Sequence, residues 1–209
     1  MHNYIIEHLE EGMHEWCETE YYHMLQNIGG EHLWFTHLTP TTLASAPERL
    51  RGAQLRTEDV LSLGIDMKKI CLLDPAAEKA LSPEDGEKFE YFLFGGILGD
   101  HPPRDRTAEL RKLGFEGRHL GSIQMSTDTA VNVTKRVIED KIPLDKIPYI
   151  DSPEVWFSRR ESVVLPFRYI AVPADSKWQK THKDAKEMPL LPEGMFELLK
   201  KDSDKSFEF

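Results

Sequence analysis

An α/β fold, with a mainly parallel sheet and flanking helices, is what the sequence predicts, and three observations carry that expectation. Short apolar runs at Tyr4–Ile6, Leu33–Thr36, Ile70–Leu73 and Tyr91–Phe94 are too brief for helices and stop at polar residues, glycine or proline. Between them lie stretches whose apolar residues recur at three and four, the pattern of an amphipathic helix. Strand and helix therefore alternate, as in a sheet covered by crossover helices. The 209 residues suffice for one domain with a sizeable core, and no apolar run approaches the roughly 20 residues of a membrane span.

The first strand is expected to end at Glu7, where the run turns polar. After Gly12, the stripe Met13, Trp16, Cys17, Tyr21, Met24, Leu25, Ile28 predicts a helix stopped by Gly29–Gly30, with its aromatic residues in the core. Residues 39–69, with Pro40, Pro47, Gly52 and Gly64, read as a connecting region. Ser82-Pro83-Glu84-Asp85 has the look of a capped helix start, and Thr107–Leu113 reads as helical. Arg118–Leu120 is expected as a short strand, and Ser126 or Thr127 as the cap of a helix to about Asp140. The proline-rich part from Pro143 to Ile170 contains short β-like runs such as Phe167–Ile170. Residues 173–188 read as a Lys-rich surface loop, Pro192–Lys201 as a last helix, and residues 202–209 as a frayed tail.

The start of the chain lacks the basic segment of a signal peptide, and two separated cysteines, Cys17 and Cys71, fit a reduced compartment. Cytoplasmic location is expected on these grounds. No histidine spacing suggests a metal site, since His14-Glu15-x-x-Glu18 lacks a second histidine. Asn132-Val133-Thr134 matches a glycosylation acceptor but falls inside an expected helix. Net charge is −10, and residues 1–31 hold seven Glu without a Lys or Arg. Such a chain repels a polyanion, so direct nucleic-acid binding is not expected; a basic partner is attracted.

In parallel sheets, ligands collect outside the carboxyl ends of the strands. Those ends gather Glu7, Asp74-Pro75, Gly95-Gly96 and Leu120-Gly121 on one rim. Gly95-Gly96-Ile97-Leu98-Gly99-Asp100-His101-Pro102-Pro103 follows a strand directly, and its glycines permit a sharp turn close to a ligand. The spacing is neither that of a dinucleotide-binding G-x-G-x-x-G nor that of a P-loop. Leu120-Gly121-Ser122-Ile123-Gln124-Met125 opens into a helix starting Thr127-Asp128-Thr129-Ala130, whose backbone could grip a flat heterocycle.

These two segments resemble the second and third cofactor loops of the SPOUT methyltransferases, and more closely those of the eukaryotic protein-arginine N-methyltransferases of that superfamily. Further blocks carry the resemblance: Ile5-Ile6-Glu7-His8-x-Glu10-Glu11-Gly12, Cys71-Leu72-Leu73-Asp74-Pro75, Pro166-Phe167-Arg168-Tyr169 and Leu191-Pro192-Glu193-Gly194-Met195. The resemblance implies one SPOUT domain over 1–209, a deep trefoil knot and bound S-adenosyl-L-methionine. It implies a monomer that methylates an arginine of a basic protein, small-subunit ribosomal protein uS3.

By the same resemblance the cofactor lies against Leu73, Asp74 and Pro75, then Gly95, Gly96, Ile97, Leu98, Gly99, Asp100 and His101. The third segment is Leu120, Gly121, Ile123, Gln124, Met125 and Thr127. Arginine presents a planar, permanently charged fork that carboxylates can clamp, so acids at the rim are the candidates for chemistry. Asp100 and Glu7 are the expected catalytic pair, with Glu10, Glu11 and Asp105 binding substrate. Arg104 and Arg106 are alternatives for holding the cofactor's carboxylate, and His101 for relaying a proton. An RNA methyltransferase of the same superfamily, or a non-catalytic ribosome assembly factor, are the competing readings; the acidic charge speaks against the first.

Overall fold

The structure, a computed structural model, describes residues 1–96 and 107–205. At its centre is a six-stranded sheet in the order β3-β2-β1-β5-β4-β6, with every neighbouring pair parallel. The strands are β1 Asn3–His8, β2 Leu33–Thr36, β3 Gln54–Leu55, β4 Ile70–Leu73, β5 Tyr91–Gly96 and β6 Glu116–Arg118. The helices in this part are α1 Glu15–Ile28, α2 Pro40–Ala44, α3 Asp85–Lys88, α4 Thr107–Lys112 and α5 Thr127–Ile138.

Alternation along β1 divides the core. Tyr4 and Ile6 face a cluster built with Tyr21, Met24 and Ile28 of α1 and Val133 and Val137 of α5. Ile5 faces the opposite side, with Val60, Leu93, Leu110 and Phe115. α1 ends where expected: the Gly29 N–H bonds the Leu25 carbonyl at 2.9 Å with φ at +86°. Gly30 is fixed for a different reason, since a Cβ there would lie 1.8 Å from the Gly52 carbonyl oxygen.

Several boundaries differ from the sequence reading. β1 continues through Glu7 and His8, which are polar but buried and hydrogen-bonded. The strand expected at Arg118–Leu120 is displaced to Glu116–Arg118, a sheet edge where a charged residue is tolerated. At Ser82 the acid three residues on does reach back, the Asp85 carboxylate accepting from the Ser82 N–H at 2.9 Å, but the helix itself begins only at Asp85.

The last third adds smaller strands: β7 Tyr149–Asp151, β8 Glu154–Trp156, β9 Ser162–Val164, β10 Arg168–Pro173 and β11 Glu187–Pro189, with helices α6 Trp178–Thr181 and α7 Met195–Lys205. β10 is flanked antiparallel by β7 and β11, and β8 pairs with β9. The expected loop 173–188 thus contains a helical turn and the start of a strand. Asp175 accepts from the Trp178 N–H, and Met188 pairs with Val172. α7 begins after Gly194, whose φ of +85° is non-helical, and it continues beyond Lys201 because no breaker follows. Phe167 and Tyr169 pack with Leu198 and Leu199 of α7 in a second core.

Candidate functional site

Beyond the carboxyl ends of β4 and β5 lies a cavity of about 560 Å³. That volume is in the range of sites for small organic ligands. β4 and the turn after it supply Leu73, Asp74, Pro75 and Ala76, and β5 supplies Phe94 and Gly95. Thr107 and Arg111 come from α4, and the rest of the wall is Leu120–Ser126 with Thr127 and Ala130 of α5.

Each part is held locally. Pro75 lacks an N–H and ends the ladder of β4. Asp74, buried beside it, accepts from the Ala76 N–H at 2.9 Å and takes a two-pronged contact from Arg111, at 2.5 and 2.7 Å. Burial pushes the Asp74 carboxyl up, but the Arg111 hydrogen bonds outweigh it and hold the group below the usual carboxylate range. Gly121 turns the chain at φ +108°, a conformation that glycine adopts without strain, and its N–H donates to His119 Nδ1 at 3.0 Å. The Gln124 carbonyl accepts from the Arg168 N–H at 2.8 Å, and Met125 forms a parallel bridge with Arg168, so β10 props this loop from outside. Ser126 caps α5 by accepting from the Thr129 N–H.

The chemistry of the wall is divided. Leu73, Phe94, Leu120, Ile123, Met125 and Ala130 supply apolar surface, and Ile123 is unusual for a large apolar side chain in being 41% exposed. Asp74 and Arg111 supply a charged pair. Such a wall suits a ligand with a flat apolar ring system and a polar or charged tail. No cluster of potential metal ligands occurs among the described residues.

The expected cofactor segments converge here: Leu73, Asp74, Pro75, Gly95, Leu120, Gly121, Ile123, Gln124, Met125 and Thr127 all border the cavity, and Gly96 ends β5. Ile97, Leu98, Gly99, Asp100, His101 and Asp105, with Arg104 and Arg106, lie outside the described residues. Glu7 is not among the residues of the cavity wall. Its carboxylate, 4% exposed, accepts from the Thr36 hydroxyl and from the Val60 N–H at 3.1 Å. Burial pushes this carboxyl above its ordinary value, and the Thr36 bond only partly offsets it. Both Glu7 carboxylate oxygens are thus engaged at the end of β1, by the Thr36 hydroxyl and the Val60 N–H. Glu10 is half-buried and Glu11 exposed in the turn after β1.

The acidic first segment is also less naked than its residue count implies. Glu7 and Glu20 are buried, Glu15 pairs with Lys201 at 2.8 Å, and Glu18 pairs with Arg49 at 2.6 Å. Sequence reasoning misses Arg111, Phe94 and Ala76. Arg111 is within reach of periodicity, because it lies four residues after Thr107 on the same face of α4. Phe167 and Tyr169, from the Pro166-Phe167-Arg168-Tyr169 block, are core residues.

Residues 3–206 match the family described as SFM1-like protein arginine N-methyltransferase. The chain belongs to this SFM1-like family. Protein arginine N-methyltransferase SFM1 of Saccharomyces cerevisiae is 43% identical over 219 residues, covering 98% of this chain and 97% of that protein. The crystal structure of the yeast arginine methyltransferase SFM1 complexed with SAM superposes with a TM-score of 0.84 at 41% identity, covering 97% and 92% of the two chains. The dual specific Trm10 from Thermococcus kodakaraensis shares the fold alone, with a TM-score of 0.50 and 18% identity over 69% of this chain and 96% of that one. The SFM1-like fold is thus the parallel sheet described above. Among the described residues, no helix is long and apolar enough to cross a membrane.

Proposed function

We propose that this chain transfers a methyl group from S-adenosyl-L-methionine to the side chain of an arginine in a basic protein, small-subunit ribosomal protein uS3. The observation that carries the reading is the cavity itself: residues from each of the three cofactor segments expected from the sequence border it. It lies in a chain that matches protein arginine N-methyltransferases over nearly its whole length. The apolar wall at Leu120, Ile123 and Met125 receives the adenine, and the side with Asp74 and Arg111 receives the polar remainder. The knotted threading implied by the SPOUT resemblance belongs to the same reading, as do a single domain, a monomeric state and a cytoplasmic location.

Methyl transfer from a sulfonium is an in-line displacement, so it depends chiefly on positioning. The sulfur–carbon bond breaks as the guanidino nitrogen forms its new bond, and that nitrogen then sheds a proton. Carboxylates serve by aligning the cationic fork and by accepting the proton. Asp100 is the acid proposed for that contact, Asp105 assists in binding, and Glu7 acts from behind by holding the end of β1. Glu10 and Glu11 attract the basic substrate.

The deciding experiment incubates the purified chain with methyl-labelled cofactor and either ribosomal proteins or RNA. Label is expected in arginine of uS3. Label in RNA would establish the RNA methyltransferase instead, and label in neither would favour the assembly factor. Reversing Glu10 and Glu11 to Lys is expected to raise KM for the protein substrate roughly three- to tenfold at low salt and less at high salt. Equal KM values at both salts would remove these two residues from substrate capture.

A further inference from the structure

Behind the cavity wall at Ser126 and Thr127 lies a group of buried acids that the proposed reaction leaves unused. Glu20 of α1 and Asp128 of α5 are only 4% and 2% exposed. Glu20 Oε2 accepts from the Asp128 N–H at 3.4 Å, Glu20 Oε1 accepts from the Trp16 indole N–H at 3.1 Å, and the Ser126 side chain adds a bond to the same carboxyl. The Asp128 carboxylate meets His23 Nδ1 at 2.9 Å and accepts from Asn132 Nδ2 at 3.2 Å. Tyr169 of β10 closes the group from a third side, its hydroxyl buried without a hydrogen-bond partner among the described residues. Three elements distant in sequence therefore meet around two carboxyls and one imidazole, directly under a wall of the cavity.

Two carboxylates enclosed together repel one another, and a single neighbouring cation balances only one of them. We propose that Glu20 and Asp128 hold one proton between them, and that this proton keeps α1 clamped on the first turn of α5 so that the Ser126–Thr127 wall stays in its ligand-binding position. The inference rests on the cofactor reading of the cavity. In the closed state Asp128 is an anion paired with cationic His23, and Glu20 is neutral. Removal of the proton leaves an unbalanced charge next to the Asp128 N–H and Ser126, and the wall loosens.

The electrostatic environment supports the geometry. Burial, then the Asp128 charge, pushes the Glu20 carboxyl up to about 8, against the opposing bonds from Trp16 and Ser126. Burial raises Asp128 as well, with His23 working against it. Burial lowers His23, but its bond to Asp128 more than reverses this and the net direction is upward. The other titratable groups facing the cluster are Cys17 and Tyr21 of α1 and Tyr169 of β10. Cys17, Tyr21 and Tyr169 are all pushed up by burial and stay neutral across this range. The folded chain holds the Glu20 proton more tightly than the unfolded chain does. Stability from this group is therefore complete below its ordinary value of 4.5 and is lost as pH rises toward about 8.

The test is calorimetric titration of S-adenosylhomocysteine into the full chain at pH 6.5 and 9, for wild type and for Glu20→Gln. Wild-type affinity is expected to fall roughly fivefold or more at the higher pH. Glu20→Gln, which imitates the protonated form, should bind almost equally at both. A carbon-13 titration of the wild-type side-chain carboxyls should also show one group with a midpoint near 8. This measurement decides the matter even if the variant folds poorly. A wild-type pH profile surviving in folded Glu20→Gln, or no carboxyl titrating above neutrality, would overturn the shared proton while leaving the cofactor site standing. No binding at either pH would overturn the cofactor reading and this inference with it.

Discussion

An Ile123→Asp variant is expected to bind S-adenosylhomocysteine about 100-fold more weakly than wild type, with no change in melting temperature. Ile123 is 41% exposed in a wall that it shares with apolar Leu120, Met125 and Ala130. Its exposure makes it dispensable for folding, because much of its surface already faces water. Once a ring system covers that wall, a carboxylate there must lose its hydration without gaining a partner. A penalty of about 2–3 kcal/mol follows for an incompletely desolvated group, and about 2.7 kcal/mol corresponds to the stated loss in affinity. Calorimetry and thermal denaturation on the same preparation separate binding from folding. If affinity stayed within threefold of wild type, the adenine would have to lie elsewhere in the cavity.

Asp85→Ala should show the opposite behaviour, with a loss of stability of about 3 kcal/mol. Arg118 and Asp85 are both 8% exposed at the side chain, and their contact measures 2.9 Å. The Arg118 guanidinium also donates to the Glu116 carboxylate and the Gly117 carbonyl, and it lies 5.3 Å from the Phe89 ring centroid. Removing Asp85 leaves a buried charge whose remaining carboxylate partner, Glu116, is 42% exposed and therefore screened. It also removes the acceptor for the Ser82 N–H. A fall in Tm of roughly 6–12 °C is expected for a chain of this size. Replacing both partners, Asp85→Leu with Arg118→Met, should recover most of the loss, because the burial penalty disappears with the charges. A double variant as unstable as the single one would show that the cost lies in the Ser82 turn.

The legibility of this chain follows the physics of each segment. β2 and β4 have the ends their residues predict because apolar runs bounded by turn residues leave little choice, and α5 starts as predicted because its cap is local. β1 outruns its predicted end at Glu7, since a sequence shows that a residue is ionisable but not that Thr36 and Val60 surround it. The same blindness conceals the link between Glu20 and Asp128, 108 positions apart, which exists only after α1 packs on α5. The strand-end rule brings the wall segments together correctly because parallel connectivity itself sends every strand terminus to one edge. Arg111 escapes that rule, which looks only to strand ends and loops, although a helix facing the edge contributes as well.

The bond between the Arg168 N–H and the Gln124 carbonyl has a bearing on biosynthesis. A chain emerging from the ribosome has made all strands of its six-stranded sheet long before β10, and only with β10 can the Arg168 N–H reach the Gln124 carbonyl. The cavity wall is thus completed later in synthesis than the strands whose ends it covers, only once β10 reaches Gln124 and Met125.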